Sequence, residues 1–177
     1  RWWRSTRWSH RCTAPVAITH RDPPVGDLAM CDHCGCRAFP PIAELTAEHV
    51  EILAMAWELA EAARTGHPAT PGVLDSLLAL LDLHVIKEEA GLYPELLEVG
   101  ALAEDACAAL EEEHRVVREA LVAGRFDRSE FYELASHIEV EEMELFSAAR
   151  FNFEEPEWDE MAGVHLAAAA VLAEGAS

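Results

Sequence analysis

The sequence has few aromatic residues, few basic residues and no long apolar run, and each shortage excludes a class of protein. Aromatic residues make up 7% of the 177 positions while Ala, Leu and Glu are abundant, which favours helices over strands. Only 13 Lys and Arg face 33 Asp and Glu, and the net charge of −20 excludes a basic nucleic-acid binder and disfavours anionic membrane surfaces. The longest apolar run, Leu166 to Ala173, is far shorter than the roughly 20 residues that cross a bilayer. An all-α protein with no nucleic-acid and no membrane partner is predicted.

A change of composition near Met30 divides the chain. Residues 1–29 hold five Arg against two Asp and three Pro without a regular apolar period, which predicts an irregular N-terminal extension. This extension is interpreted either as sequence upstream of a domain that begins at Met30 or as an interaction tail. A Cys-rich loop is predicted over 30–41, a helical bundle over 42–150, and a loop with a short helix over 151–177.

Four amphipathic helices are predicted in the central region, because apolar residues recur there every three or four positions. They span Ile42 to Arg64, Pro71 to an end or bend at Gly91 and Pro94, Leu102 to Ala123, and Arg128 to Arg150. Similar lengths and short loops predict an antiparallel up-down four-helix bundle. A short fifth helix, Pro156 to Ala173, is expected to cover one end of it.

Each of the four helices carries one histidine on its apolar face. His84 and His137 are each followed one turn later by a glutamate on the same face. Buried carboxylates require positive charge, which neutral imidazoles do not carry, so metal ions are inferred. Mixed nitrogen and oxygen ligands suit iron, manganese or zinc, and two carboxylates able to bridge favour a dinuclear site. The candidate ligands are His49, His84, Glu88, His114, His137 and Glu141.

The order His, His-x-x-x-Glu, His, His-x-x-x-Glu over residues 40 to 150 resembles the hemerythrin-like family, the HHE cation-binding domain. The local sequences Ala47-Glu48-His49 and Leu92-Tyr93-Pro94 agree with it. The resemblance implies a four-helix bundle with a non-haem di-iron centre, oxo- or hydroxo-bridged, and iron is favoured over manganese or zinc. It also implies that the four histidines are terminal ligands and that Glu88 and Glu141 bridge the two irons.

Two positions depart from the oxygen carriers of that family. Arg118 stands where the carriers have a further histidine, and Glu142 stands where they have an aspartate. The resemblance then implies open coordination positions, as in relatives linked to iron sensing, nitric oxide, iron-centre repair or peroxide breakdown. Candidates for an additional ligand or an outer contact are Glu48, Glu89, Tyr93, Glu111 and Arg118.

Some of these candidates have a second interpretation. Tyr93 is a ligand or a packed aromatic residue near a helix end. Arg118 lies over the cluster, where it would stabilise a bound anionic oxygen species, or it forms a surface salt bridge. Glu112 and Glu113 are expected on a solvated helix face.

A cysteine cluster precedes the first helix. Cys31, His33, Cys34 and Cys36 fall within six residues, and Gly35 permits a tight turn there. The cluster is interpreted as a redox- or nitric-oxide-responsive loop, as an accessory metal site, or as a covering loop packed on the bundle end. Clustered thiols without a secretory signal indicate the cytoplasm, whereas Cys107 is expected in the core.

Three functions are compatible with the sequence. The first is a di-iron enzyme or scavenger whose small-molecule partner is dioxygen, hydrogen peroxide or nitric oxide. The second is a binding module, either a reversible oxygen carrier or an iron or oxygen sensor. The third is a metal-free helical scaffold.

Overall fold

The computed structural model describes residues 35–175, with side chains as far as residue 170, and these residues form helices and no strands. The extension over 1–29 and the residues Cys31, His33 and Cys34 lie outside the described part. The helices are α1 (Pro40–Thr65), α2 (Val73–Lys87), α3 (Tyr93–Glu98), α4 (Glu104–Val122), α5 (Arg128–Val140), α6 (Phe146–Asn152) and α7 (Glu155–Gly175), and a 3-10 turn (Cys36–Ala38) precedes α1. The predicted all-α helical bundle is confirmed.

Two π-helical segments of five residues interrupt the regular helices. The first π segment, Glu88–Leu92, joins α2 to α3, and the second, Glu141–Leu145, joins α5 to α6. The residues on either side keep right-handed helical dihedrals, so each series continues as one rod. The bundle therefore consists of α1, the rod α2–α3, α4 and the rod α5–α6, with α1 and α4 each packed against both rods.

The second helix was predicted to end or bend at Gly91 and Pro94, and it does not end there, although the π segment that contains Gly91 interrupts its regular turns. The rod continues to Glu98, and Pro94 lies in the first turn of α3, where a missing N–H is tolerated. Gly91 is buried, and a Cβ atom built there would lie 3.4 Å from the side chain of Val164 on α7. A Cβ would thus just touch α7, and a side chain larger than alanine at this position would overlap it.

The C-terminal helix α7 is longer than predicted. It has 21 residues against 19 in α4, and it lies along α1, α2 and the first π segment rather than across one end of the bundle. Its buried face carries Met161, His165 and Ala168. This face is apolar except for the histidine, so burial of a long stripe explains the length of the helix.

The apolar core consists of two clusters separated along the bundle axis. On α1, Ile42 and Leu45 belong to one cluster and Ile52 and Leu53 to the other, with His49 between them. The rod α2–α3, helix α4 and the rod α5–α6 repeat this arrangement: each contributes to both clusters and carries a candidate ligand histidine close to the boundary between them. Because neighbouring rods meet the clusters in opposite order, the antiparallel arrangement brings all four histidines to one level.

Candidate metal centre

The two glutamates that follow a histidine by one turn are the first residues of the two π segments. Glu88 opens one and Glu141 opens the other. Both side chains are completely buried, and each lies beside the histidine four residues earlier: the distance is 3.2 Å from Glu88 to His84 and 3.0 Å from Glu141 to His137. Single-turn π segments inside α-helices are frequent at functional sites. The regular spacing predicts the His–Glu pairs, and the wider turn begins at the glutamate of each pair.

Each buried carboxylate lies between two histidine pairs. Glu88 directs Oε1 to His49 and His84, at 3.6 and 3.2 Å, and Oε2 to His114 at 3.4 Å. Glu141 directs Oε1 to His137 and His114, at 3.0 and 3.7 Å, and Oε2 to His49 at 3.4 Å. One oxygen of each glutamate therefore belongs to each half of the cluster.

The cluster contains two groups of donor atoms that are close enough to share an ion. The atoms of each group lie within 4.8 Å of one another, and the groups are His49, His84, Glu88 and Glu141, and His114, His137 and Glu141. Several of these atoms are buried without a hydrogen bond: Nε2 of His49, both oxygens of Glu88 and Oε2 of Glu141. Unsatisfied buried donors and acceptors are costly, and a pair of cations among them would satisfy all four. The residues present therefore fit a dinuclear metal centre.

Charge in the cluster is balanced by protons when no metal is bound. Burial disfavours the charged imidazoles, but Glu141 and Glu88 outweigh it and raise the pKa of His114 to about 11. Glu141 likewise raises the pKa of His137 to about 9 against the effect of burial. Burial and Glu141 act to raise the pKa of Glu88, but the surrounding histidines hold it below its ordinary value. Imidazolium ions are therefore a second source of positive charge in the cluster, which the sequence argument did not include because it considered neutral imidazoles alone.

Each candidate ligand histidine has its own outer glutamate. The outer pairs, written as Nδ1-to-oxygen distances, are His49–Glu142 at 3.1 Å, His84–Glu48 at 2.9 Å, His114–Glu89 at 3.0 Å and His137–Glu113 at 2.7 Å. In each pair Nδ1–H donates to the carboxylate, which leaves Nε2 directed into the cluster. Carboxylate–histidine pairs of this kind fix the ring orientation and strengthen a histidine as a metal ligand.

Tyr93 contacts one of the two inner carboxylates. Its hydroxyl donates to Oε1 of Glu141 at 2.7 Å, and its ring stacks on His114. Burial, with the charges of Glu141 and Glu88, raises the pKa of Tyr93 far above its ordinary value, so the hydroxyl stays protonated. Tyr93 therefore acts in this structure as a hydrogen-bond donor that is itself packed in the core.

A chain of charged side chains, buried at His84 and Lys87 and half exposed at Glu44, extends from His84 to α7. Glu48, which accepts from His84, also contacts Lys87, whose ammonium donates to Glu44 at 2.7 Å. The other oxygen of Glu44 accepts from Nδ1 of His165 at 2.8 Å. The Lys87 side chain is only 1% exposed, so its charge is neutralised by the two glutamates rather than by water.

The remaining sequence candidates lie outside the cluster. Arg118 forms a surface salt bridge with Asp82, with N–O distances of 2.6 and 2.9 Å. Of its two interpretations, the surface salt bridge therefore agrees with the structure and the position over the cluster does not. Glu111 is exposed and its contact is the thiol of Cys107, at 3.7 Å. Cys36 is buried against the bundle end.

Several residues of the outer layer were missed in the sequence. Glu113 was expected to be solvated, but it holds His137 while remaining half exposed. Glu142, noted only as a departure from the carriers, is buried against His49. The only sequence signal for Lys87 and His165 is that each is a polar residue on the face of its helix that becomes buried. Polar residues are rare at such positions, so both could be detected after the buried face of each helix had been identified.

A small cavity adjoins the cluster on the side of His114 and His137. Its volume is about 10 Å³, the size of one water molecule. Four candidate ligands form one wall and four aliphatic side chains the other; the lining residues are Ile52, Leu81, His84, His114, Leu134, His137, Ile138 and Glu141. The space suits a molecule of two or three atoms that needs few hydrogen bonds.

The fold and the cluster together define a class: a helical bundle with a buried His/Glu site able to bind metal. The chain matches the model of the hemerythrin HHE cation binding domain over residues 40–149. It therefore belongs to that family. No curated protein and no solved structure matches the chain significantly. No helix in the described part of the chain is long and apolar enough to cross a membrane.

Proposed function

We propose that this protein holds two iron ions and uses them to bind and react with a small oxidant or gas. The proposed terminal ligands are the four histidines His49, His84, His114 and His137, and the proposed bridging ligands are Glu88 and Glu141. Both carboxylates reach both histidine pairs, and this observation carries the proposal. Nitrogen and carboxylate donors suit iron, with manganese and zinc as the metals next favoured.

The proposed reactants are dioxygen, hydrogen peroxide and nitric oxide, which gives the protein a role against oxidative or nitrosative stress. The aliphatic wall of the 10 Å³ cavity supports dioxygen and nitric oxide, because it favours diatomic molecules with little need for hydrogen bonds, whereas hydrogen peroxide would use the histidine and glutamate wall. Bound iron would supply the electrons and the open coordination positions. A cytoplasmic location is part of the proposal, because clustered cysteines are typical of proteins in a reducing compartment.

The chain's own residues have three tasks in this proposal. The outer glutamates hold each histidine with Nε2 facing inward. Tyr93 keeps Glu141 oriented through its hydrogen bond. The two apolar clusters on either side exclude bulk water from the donor atoms, which strengthens electrostatic interactions between them.

Metal analysis of ligand variants tests this proposal. His84→Ala and His137→Ala each remove a donor from one half of the cluster, so a large loss from about two bound irons per chain is expected. The matched control is His67→Ala, because His67 is exposed in the loop after α1. His165→Ala, also expected from the sequence to retain metal, is a poorer control because His165 contacts Glu44 in the charge chain. Equal metal content in His84→Ala, His137→Ala and His67→Ala would overturn the assignment.

The reaction itself is tested with the iron-loaded protein and each reactant. Sustained consumption of peroxide or nitric oxide supports an enzyme, and a stable, reversible oxygenated spectrum supports a carrier. Metal-dependent binding of a partner supports a sensor. An ultraviolet and visible spectrum is recorded in each assay, because oxo-bridged iron absorbs strongly there and its absorbance shows whether the iron centre is intact.

A metal-free scaffold is the second candidate, and the charge balance favours it. The raised pKa values of the four cluster histidines allow imidazolium ions among them to neutralise the two buried glutamates. Protein purified without added metal would then contain none and would unfold at the same temperature with or without a chelator. A lower unfolding temperature after chelation would contradict the scaffold.

A further inference from the structure

We infer that the two metal positions of the proposed centre exchange their ions at different rates, and that the position held by His114 and His137 is the labile one. The inference rests on the proposed binding of two metal ions. It follows mainly from the residues behind the histidines, and the inner donor groups, four residues on the His49 side against three on the His114 side, differ in the same direction.

The outer contacts of His49 and His84 are buried and paired with cations. Behind His84, the Glu48 side chain is 13% exposed and contacts the buried ammonium of Lys87. Behind His49, the Glu142 side chain is 4% exposed and lies 3.4 Å from the guanidinium of Arg37. Movement of either carboxylate separates it from a cation, which is the fully buried Lys87 for Glu48 and the quarter-exposed Arg37 for Glu142.

The outer contacts of His114 and His137 are open to water. The Glu89 side chain is 35% exposed and the Glu113 side chain is 53% exposed. Within residues 35–170, each of these carboxylates has one polar partner, the histidine that it orients. Water can replace either carboxylate at little cost, because exposed charge pairs contribute little to stability.

Access from solvent differs in the same direction. A surface groove of about 570 Å³ lies over α2 and α4, and its lining includes His114 and Glu89. On the opposite side, α7 packs along α1 and α2, and His165 closes the charge chain behind His84. A small chelator or an incoming ion therefore reaches the His114 side first.

Release of an ion requires a histidine to turn its Nε2 away from the metal. For His137 this breaks one hydrogen bond to a half-exposed carboxylate. For His84 it breaks a contact to a carboxylate that is held in place by Lys87, which is in turn held by Glu44. The second rotation also disturbs the contact of Glu48 with the fully buried Lys87, so it is the slower one.

Chelator-driven release from the full chain tests the inference. The protein is loaded without oxygen with two equivalents of cobalt(II) or iron(II), a strong chromogenic chelator is added, and the absorbance is followed in a stopped-flow instrument. Two phases of equal amplitude are expected, separated at least about tenfold in rate, since loss of an outer partner typically changes metal affinity by 10–100-fold.

The variants assign the phases. Glu113→Gln and Glu89→Gln are expected to accelerate the fast phase about tenfold and to leave the slow phase unchanged. Glu48→Gln and Lys87→Met are expected to accelerate the slow phase instead. The matched control is Glu112→Gln, which removes a neighbouring exposed glutamate that pairs with Arg115 and leaves both phases unchanged.

Two outcomes overturn the inference while leaving the proposed function intact. One is release of two ions in a single phase, and the other is acceleration of the slow phase by Glu113→Gln or Glu89→Gln. Failure to load two ions at all would instead contradict the proposed function. Circular dichroism of each variant before loading identifies any change of fold, and the exposed glutamate variants decide the question if Lys87→Met does not fold.

Discussion

At the scale of single residues, the histidines of the cluster use their two ring nitrogens differently. Nδ1 of each faces an outer glutamate, and Nε2 faces the two inner carboxylates or a neighbouring imidazole, as in the 2.8 Å approach of His114 to His137. A protonated ring donates in both directions, whereas a neutral ring keeps its lone pair inward. The same geometry therefore serves a proton-filled cluster and a metal-filled one.

Metal binding is expected to release protons. The pKa values of about 11 for His114 and about 9 for His137 mean that this pair retains a proton between its Nε2 atoms in the metal-free chain at pH 7.5. The two atoms are 2.8 Å apart, so one ring donates this proton and the other accepts it. Metal ions that take both Nε2 atoms displace it, so at least about one proton per chain should appear in solution. Titration calorimetry in buffers of different ionisation enthalpy measures the number, and buffer-independent heats would contradict the prediction.

The hydrogen bond from Tyr93 is expected to stabilise the fold. Tyr93→Phe removes the hydroxyl that donates to Glu141 and leaves the ring in place. Loss of a buried hydrogen bond to a charged group should lower the free energy of unfolding by about 1.5–3 kcal/mol, measured by urea denaturation. Tyr132→Phe is the control, since Tyr132 is 51% exposed. Equal effects of the two substitutions would remove the assigned role.

At this scale the sequence predicts the inner residues better than the outer ones. The pairs His84–Glu88 and His137–Glu141 follow from the helical period, because residues four apart share a face whatever the partner helix does. His49 and His114 follow from their place on the apolar face of their helices. The partners Glu113–His137 and Glu48–His84 come from different helices, and their pairing depends on how those helices cross. One sequence does not specify such crossings.

At the scale of helices, α7 and the first π segment form one contact. Gly91 in the π segment faces Val164 and Met161 of α7, and three residues earlier the same segment presents Glu88 to the cluster. The same five-residue π segment therefore contacts α7 and positions the Glu88 carboxylate, so a displacement of α7 is expected to move that carboxylate.

A larger side chain at Gly91 is expected to displace α7. A Cβ atom there already lies 3.4 Å from Val164, so Gly91→Leu overfills the contact and should lower the free energy of unfolding by about 1–3 kcal/mol. Gly163→Leu is the control, because no atom lies within 4 Å of a Cβ at that position. Thermal unfolding compares the two variants. An unchanged or raised unfolding temperature for Gly91→Leu would contradict the close contact.

Helix boundaries divide into predictable and unpredictable ones. Asp127 caps α5: its side chain accepts a hydrogen bond from the backbone N–H of Ser129, and its own backbone N–H donates to the side chain of Glu130. The start of this helix was predicted correctly from the sequence. The continuation past Gly91 and Pro94 depends on a π turn that no local propensity encodes. The length of α7 depends on the groove that the other helices offer it.

At the scale of the whole molecule, metal is expected to stabilise the folded chain. The donor atoms come from four rods and separate on unfolding, so an ion binds the folded state alone. With free metal at a hundred times its dissociation constant, the free energy of unfolding should rise by about 2.7 kcal/mol per site. Denaturation curves with and without manganese(II) measure this change. The double variant His84→Ala/His137→Ala should show no such gain.

The level of histidines and glutamates between the two apolar clusters also fixes how the rods line up. Leucine side chains on antiparallel rods tolerate several alignments, since one aliphatic neighbour resembles the next. Sliding the α2–α3 rod by a single turn, about 5.4 Å, would carry Glu88 away from the imidazoles and place its charge among aliphatic side chains. That arrangement costs several kcal/mol. The layer of polar side chains therefore favours one axial alignment of the four helical rods over the others, and this preference does not depend on a bound ion.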